Sequence, residues 1–386
     1  ELMTKGTKNK TPEQLENAIE SLGATIKAYT SDESIFIAGN TLAKNYNATM
    51  ALVQEIILQP RWDAKEFDLI KQSTLSQILQ QKADPKSMTR KEYKKSIYRK
   101  KCSETNNRMG TENAVNSITI DDLKNYYAKN MAPSVANFQI VGAISKKEVT
   151  HSLATLNKKW EAKKVAIPEI KATNTVASSK IYFYDVPGAK QSVIRIGYPA
   201  LAATDADFYP VQIMNYRLGG GSFASQLTQQ LREGKGYTYG INSSFNGAAN
   251  HGVFIISSGV RSNVTFESVS LIKDIVAQYG TNFTANDLIV TKGYLIKSNA
   301  RAFETLESKL EMLYDISNYN YADDYAKQQE NIVKNSTIGA IKKLSETYLN
   351  ADKMIYLVVG DAETQLKKLE EIGFGAPILL NKSAVK

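Results

Sequence analysis

The sequence predicts an α+β protein built from two duplicated domains, each a mainly antiparallel sheet with helices packed on one face. Short segments that alternate apolar and polar residues are interspersed with longer segments of helical periodicity. The order of these segments recurs along the chain. With 386 residues, of which 42% are hydrophobic, the chain is long enough for two domains with substantial cores.

The first half contains four helices and three strands by this reasoning. Thr11 is predicted to cap the first helix, because Pro12 suits its first turn and Gln14 completes a capping box. Gly23 ends this helix. The other elements are assigned by periodicity, and they are two strands within residues 24–42, helices over 47–58, 63–81 and 120–129, and a strand over 137–141.

The second half repeats this order at a constant spacing. Residues 119–142 match residues 337–360 at an offset of 218, and residues 52–57 match residues 271–276 at an offset of 219. An offset that is constant within one residue over this length indicates an internal duplication. The predicted organisation is a first repeat over residues 1–160, a linker over residues 161–180 and a second repeat over residues 181–386.

The stretch from Leu218 to Phe245 carries most of the chemistry that the sequence predicts. Gly219, Gly220 and Gly221 open it, and Ser222 is the predicted N-cap of a helix that Gly234 and Gly236 end. Recurrence every four residues predicts one buried helical face, formed by Phe223, Leu227 and Leu231. Alternation predicts one shared strand face for Tyr237, Tyr239, Ile241, Ser243 and Phe245. Arg232 at the helix end and Tyr239 on the strand are therefore predicted to converge.

Several other kinds of site are excluded or weak. The histidines, His151 and His251, lie a hundred positions apart and cannot form a zinc-binding pair at helical spacing, so both are interpreted as structural. The single cysteine, Cys102, excludes an internal disulfide and a cysteine metal cluster, and we interpret it as a buried or idle thiol. The glycine run could bind phosphate, but it matches neither phosphate-loop pattern. No G-x-S-x-G elbow and no apolar run of spanning length is present.

The net charge of +9 is densest from Arg90 to Lys101, where seven of twelve residues are Lys or Arg. We interpret this segment as a solvated surface, with an acidic partner or envelope surface as the alternative. A nucleic-acid or anion binder has only this charge in its support, because no recognition motif or stacking platform accompanies it. No nucleic-acid partner is predicted.

Residues 215–245 resemble the C-terminal-domain signature of the pitrilysin/insulinase family of zinc peptidases, in which N-x-x-L-G-G-G-x-x-S-x-L-x-x-x-L-R-E-x-x-G-x-x-Y is typical. Residues 3–12 and 110–123 also resemble the family, so the likeness covers essentially the whole chain. It implies a pitrilysin-type fold of the metallohydrolase kind. It also implies that Arg232 and Tyr239 are the catalytic pair that faces the zinc, and we assign substrate binding to Gly219, Gly220 and Gly221.

The zinc ligands that the family implies are missing at the corresponding positions. Active members carry an inverted zinc motif, H-x-x-E-H, whose second histidine falls on Glu1. The third ligand, a glutamate in a later helix, falls on Gln77, and an amide is a poor zinc ligand because it supplies no negative charge. The resemblance therefore implies a degenerate peptidase domain, no metal in this chain, and zinc in a partner half.

The function that follows from the resemblance is that of the zinc-free half of a two-part peptidase, which binds peptide and stabilises the transition state for a zinc-bearing half. That half is a separate subunit or an N-terminal part of the same protein, because the start at Glu1, in what resembles the middle of a helix, leads us to expect that the native N-terminus is absent. The alternative is an inert structural or peptide-holding relative, like the core subunits of the respiratory bc1 complex. Location in a bacterial periplasm or envelope is an expectation from family habit alone.

Overall fold

The computed structural model describes residues 1–31, 33–97, 108–167, 176–299 and 301–381. The chain divides into two compact units, each described by itself below. Unit 1 consists of residues 1–81 and 106–169, and unit 2 of residues 82–105 and 170–386. Cys102, the end of the basic segment and the middle of the proposed linker lie outside the described residues. The repeat boundaries at residues 160 and 181 stay a prediction.

The first part of the chain is mainly helical and contains one β-hairpin. Thr11 forms the predicted capping box with Gln14, since each side chain bonds to the other's backbone N–H. The elements in chain order are α1 (Pro12–Ser21), β1 (Thr25–Thr30), β2 (Ile35–Asn40), α2 (Tyr46–Leu58), α3 (Ala64–Ala83), α4 (Pro85–Ile97), α5 (Glu112–Ser117), α6 (Ile120–Asn130), α7 (Lys146–Ser152) and α8 (Ala154–Lys159), of which α4 belongs to unit 2.

The described residues of unit 1 form a small core and a two-stranded sheet. Leu15 of α1 packs with Leu52 and Ile56 of α2. Strands β1 and β2 pair antiparallel with each other, and in the described ranges they form a separate two-stranded sheet. The strand predicted over residues 137–141 is wrong, because the structure has no strand there.

Unit 2 contains the large sheet of the protein and most of its buried apolar residues. Its further elements, in chain order, are β3 (Lys180–Asp185), β4 (Gln191–Ala200), α9 (Phe208–Asn215), β5 (Thr238–Gly247), β6 (Gly252–Arg261), α10 (Thr265–Asn282), α11 (Ala285–Asn299), α12 (Leu306–Tyr319), α13 (Tyr325–Asn335), α14 (Ile338–Tyr348), β7 (Ile355–Gly360), α15 (Ala362–Gln365) and β8 (Ile378–Leu379). The sheet order is β5-β6-β4-β7-β3-β8. Pairing is antiparallel except where β3 runs parallel to β7 and β8.

Alternation along the central strands determines which side chains enter the core of unit 2. Ile194 and Ile196 of β4 and Phe254 and Ile256 of β6 lie on one face and are fully buried. Helix α10 contributes Ile272 to the same cluster. The opposite face carries α4, whose Tyr93 and Ile97 pack against apolar residues of β7. The fold is α+β, with a mainly antiparallel sheet as predicted.

The helices bear out the internal duplication. Helix α6 spans residues 120–130 and α14 spans residues 338–348, so both ends are 218 positions apart. Both helices begin after a threonine whose side chain accepts a backbone N–H, Thr119 in unit 1 and Thr337 in unit 2.

Candidate functional site

The segment that carries the family resemblance closes the outer edge of strand β5. Helix α9 continues into a π-helical turn, Tyr216–Gly220, and a second π-helical turn spans Thr228–Gly234. Asn215 Nδ2 donates to the Ser243 carbonyl at 2.9 Å, and Ser243 Oγ donates to Asn215 Oδ1 at 2.5 Å. Both residues are buried, so this exchange anchors the first turn to β5. Such π-helical turns are rare and occur frequently at functional sites.

Three carbonyl groups of β5 are satisfied by side chains of this segment and of α9. An edge strand normally presents such groups to any chain that could add as a further strand. The bonds run from Thr228 Oγ1 to the Ile241 carbonyl at 3.3 Å, from Asn215 Nδ2 to the Ser243 carbonyl at 2.9 Å and from Gln212 Nε2 to the Phe245 carbonyl at 3.0 Å. The edge of β5 is therefore covered, and an extended peptide cannot pair along it without displacing these side chains.

The glycine run is needed for close approach to β5 and within the turn. A Cβ at Gly219 would lie 2.3 Å from Ser243 Oγ and 2.6 Å from Ser243 N. A Cβ at Gly221 would lie 2.6 Å from the Tyr216 carbonyl, to which the Gly221 N–H donates at 2.7 Å. Gly220 is exposed, and its Cβ would meet the Asn215 amide at 2.9 Å. These contacts explain the glycines structurally, and substrate binding by Gly219, Gly220 and Gly221 stays a prediction.

A largely buried ion pair, which the sequence reasoning missed, connects this segment to α11. Arg217 Nη2 lies 2.6 Å from Asp287 Oδ1, and Arg217 Nη1 donates to the Ala224 carbonyl. Burial would raise the pKa of Asp287, but hydrogen bonds from Thr284 and Arg217 outweigh it and hold that pKa below its ordinary value. The sequence does contain a signal for Asp287, because it stands three residues after Thr284, as in a capping box.

The helix after the glycines begins later than predicted. Ser222 has a left-handed φ of 50° and caps nothing, while Ser225 Oγ accepts the Thr228 N–H at 3.3 Å. Leu227 and Leu231 are fully buried, as predicted. Phe223 is 55% exposed, so its predicted place on the buried face is wrong. A short turn separates it from the helix, and the four-residue spacing does not apply across that turn.

Arg232 lies near the end of the second π-helical turn, at the surface. The chain then leaves this turn at Gly236, whose φ of 63° suits glycine. The Arg232 guanidinium stacks on the Phe223 ring, with 4.6 Å between Cζ and the ring centroid. Its Nε lies 3.4 Å from Glu233 Oε1, and its side chain is 38% exposed. The guanidinium is thus held at one side by a ring and remains accessible to a ligand.

Tyr239 lies in a β-bulge that reverses the predicted face of its side chain. Thr238 pairs with Val260 and Ile241 pairs with Ser258, so β5 has one more residue than β6 between these pairs. Thr238 Oγ1 accepts the Gly240 N–H at 3.0 Å and donates to the Gly259 carbonyl at 2.7 Å. Tyr239 is 89% exposed, whereas Ile241, Ser243 and Phe245 share one face, as predicted, and that face is buried.

The bulge presents the Tyr239 phenol to solvent, where a substrate can reach it. Within the described part of the chain no hydrogen bond joins Arg232 to Tyr239, and their convergence stays a prediction. Both side chains flank the junction between the second π-helical turn and β5, where the Tyr237 N–H donates to the Leu231 carbonyl at 2.9 Å.

The two positions where the resemblance would place zinc ligands hold Glu1 and Gln77. Gln77 is exposed on α3, and its Nε2 donates to Ser73 Oγ at 3.2 Å. A neutral amide used in this way brings no charge to a cation, and Glu1 replaces the nitrogen ligand with a carboxylate. Among the described residues no group of three or more His, Cys, Asp and Glu side chains is placed to hold a metal ion.

The two histidines lie in different units, and their structural roles stay a prediction. His151 lies in the last turn of α7. His251 is buried in the turn before β6, where its carbonyl accepts the Ala248 N–H at 2.7 Å. No helix in the described ranges has the length and apolar character needed to cross a membrane.

Known proteins resemble this chain along most of its length. The profile of the insulinase family, peptidase family M16, matches residues 1–112, and that of the peptidase M16 inactive domain matches residues 117–292. An uncharacterised zinc protease of Streptomyces coelicolor is 23% identical over 72% of this chain, which spans 62% of that relative's length. The non-peptidase homolog YmxG of Helicobacter pylori is 23% identical over 83% of this chain and 73% of its own length.

Solved structures show the same fold. The peptidase M16 inactive domain from Pseudomonas fluorescens superposes with a TM-score of 0.86 at 23% identity, covering 93% of this chain and 86% of that one. A chain of complex III2 from Candida albicans superposes with a TM-score of 0.70 at 13% identity, covering 91% and 86%. The two family profiles, which together match residues 1–292 apart from residues 113–116, and the fold that these neighbours share show that the chain belongs to the M16 (pitrilysin/insulinase) peptidase family.

Proposed function

We propose that this chain is the zinc-free half of an M16 peptidase and that it supplies substrate contacts and transition-state stabilisation to a zinc-bearing half. The observation that carries the proposal is a contrast between two sets of positions. Arg232 and Tyr239 are retained at the family spacing and are accessible on a braced segment. Glu1 and Gln77 stand where the family's metal ligands would be.

The exposed guanidinium and phenol are suited to one chemical task. Both donate hydrogen bonds, and a peptide carbonyl gains negative charge as it is attacked. A donor that meets this charge lowers the barrier, and losing one such donor typically slows turnover about 10²- to 10³-fold. Neither group supplies the nucleophile, which the zinc-bearing half would provide.

The substrate class we propose is peptide. In unit 2 the covered edge of β5 disfavours strand addition, so the contacts from this unit would come from side chains, chiefly Arg232 and Tyr239. Strand addition, which gives loose sequence preference through backbone bonds, would then occur at another sheet edge of the complex.

The alternative is an inert relative that holds peptide or acts as a structural subunit. One relative is named a non-peptidase homolog, and a chain of complex III2 shares the fold. This alternative gives no role to an accessible Arg232 and Tyr239, and it predicts that neither residue affects turnover in any complex.

The experiment is reconstitution with a zinc-bearing M16 chain that carries H-x-x-E-H, using a quenched fluorescent peptide as substrate. We expect cleavage by the mixture and none by this chain alone. Arg232→Ala or Tyr239→Phe should lower the kcat of the mixture about 10²-fold. The matched control is Tyr126→Phe, because Tyr126 is also an exposed tyrosine but lies in unit 1. This variant should leave kcat unchanged. Wild-type kcat with both site variants would favour the inert alternative.

A further inference from the structure

Phe223 lies outside the core, but hydrogen bonds fix the backbone around it. Its ring is 55% exposed, and its described partner is the guanidinium of Arg232 at 4.6 Å. A single exposed apolar side chain is common and needs no explanation in itself. An exposed ring stacked on the arginine of the proposed catalytic pair is a more specific arrangement.

The backbone around Phe223 is fixed from several sides. Gln229 Nε2 donates to the Phe223 carbonyl at 2.6 Å, and Ser225 Oγ donates to the Ser222 carbonyl at 2.8 Å. Arg217, itself paired with Asp287, donates to the next carbonyl, that of Ala224. These bonds define the place from which the ring projects.

Ser222 adopts a conformation that disfavours side chains in general. Its φ of 50° is in the left-handed region, where a residue other than glycine typically loses about 1 kcal/mol or more. Strain of this kind persists only where the surroundings enforce it, and it is concentrated at functional sites. The strained backbone at Ser222 therefore directs the Phe223 side chain towards solvent, where its ring contacts the Arg232 guanidinium.

Stacking restricts the guanidinium without using its hydrogen-bond donors. The guanidinium carbon lies over the ring at 4.6 Å, and because this contact uses no hydrogen bond, the N–H donors stay available to a carbonyl or an oxyanion. Oε1 of the adjacent Glu233 lies 3.4 Å from Arg232 Nε, so this carboxylate competes for the same N–H donors. Without the ring, the side chain has more orientations, including ones drawn towards Glu233.

We infer that Phe223 is a positioning residue, whose ring orients the Arg232 guanidinium towards the substrate carbonyl. This inference rests on the proposed function. Phe223 acts through Arg232 and makes no hydrogen bond to substrate itself. Its loss should therefore reduce kcat and leave KM nearly unchanged, because the guanidinium is needed most when charge develops.

The test uses the reconstituted complex with two variants at position 223. Phe223→Leu removes the ring and should lower kcat about two- to fivefold, the range of an exposed cation–π contact. Phe223→Trp keeps a ring and should restore kcat to within about twofold of wild type. The control is Phe266→Leu, which removes a ring from beneath Lys368 at 4.9 Å and should leave kcat unchanged.

The outcomes separate this inference from the proposed function. If Arg232→Ala leaves kcat unchanged, the proposed function is wrong. If Arg232→Ala lowers kcat while Phe223→Leu behaves as wild type, only the inference is wrong.

A measurement on this chain alone gives a second readout. The ¹⁵Nε–¹Hε resonance of Arg232 should be displaced by the ring current of Phe223, should move in Phe223→Leu and should stay in place in Phe266→Leu. An unchanged resonance in Phe223→Leu would overturn the inference whatever the partner does.

Discussion

Residues 120–130 and residues 338–348 form helices of equal length in units 1 and 2, whereas the stretches that follow them differ. After the second helix, residues 355–360 form β7, which is buried along its whole length. After the first, residues 137–142 form no strand and are exposed or half-buried. The two stretches even share the pair Val-Gly at their ends.

The difference lies in the neighbours of each stretch. In unit 2, β7 pairs with β3 on one side and β4 on the other. Among the described residues of unit 1, β1 and β2 pair only with each other, and residues 137–142 pair with no strand. A helix satisfies its own backbone groups, but a strand needs partners, so the same pattern gives a helix in both units and a strand in only one.

The largest expected effect contrasts one ion pair in each unit. Arg217→Ala in unit 2 should lower the free energy of unfolding by about 1.5 to 3 kcal/mol, because it removes the cation from a largely buried Asp287 carboxylate that keeps its hydrogen bonds from Thr284. Lys10→Ala in unit 1 removes the cation from a more exposed pair, in which Glu55 keeps its hydrogen bond from Thr7, and should cost less than about 1 kcal/mol.

Urea unfolding followed by circular dichroism can measure both variants. Tryptophan fluorescence reports unit 1 separately, because Trp62 and Trp160 both lie there. Equal losses for Arg217→Ala and Lys10→Ala would contradict the expectation that the Arg217–Asp287 pair stabilises the protein more than the Lys10–Glu55 pair does.

The sequence predicts the helices well because their periodicity is local, as the boundaries of α2 and α6 show. It fails for residues 137–141 because a strand depends on partners distant in the chain. It fails for Tyr239 because a bulge shifts the alternation by one residue and leaves no mark in composition. Arg232 and Tyr239 could be selected through the family spacing, but the contact between Phe223 and Arg232 depends on the turn at Ser222 and is not readable from spacing.

A smaller effect compares the two glycines that end the matched stretches. Gly360→Ala in unit 2 would place a Cβ 2.6 Å from Ser192 Oγ and 2.8 Å from Gln365 Oε1. These two buried atoms form a hydrogen bond with each other. We expect a loss of about 1 to 3 kcal/mol from overpacking. Gly142→Ala in unit 1 meets no atom within 4 Å and should change the free energy of unfolding by less than about 0.5 kcal/mol.

The same urea experiment checks this pair of variants. A loss from Gly142→Ala as large as that from Gly360→Ala would mean that residues 137–142 are packed in solution as β7 is.

The smallest effect concerns pH and two aspartates that each follow a threonine in a capping box. The pKa of Asp287 is held below its ordinary 3.8, so its contribution to stability is present above that value and is lost as the pH falls through the folded-state pKa. Asp287→Asn should therefore lessen the loss of stability as the pH falls below about 4. Asp122→Asn in unit 1 should have a smaller effect on this loss of stability. Hydrogen bonds from Thr119 also lower the pKa of Asp122, but solvent weakens their contribution because the site is exposed.

The slope of the unfolding free energy against pH provides the measurement. An unchanged slope in Asp287→Asn would show that the carboxylate does not retain its charge through the ion pair with Arg217.

We propose that unit 2 recognises developing negative charge more than the peptide itself. The most direct measurement compares the Ki of a phosphonate peptide with the KM of the matching substrate, for complexes of a zinc-bearing half with wild-type chain and with the double variant Arg232→Ala, Tyr239→Phe. We predict that the Ki rises at least about 100-fold while KM changes less than about threefold. Equal rises in Ki and KM, or no rise in either, would contradict the account.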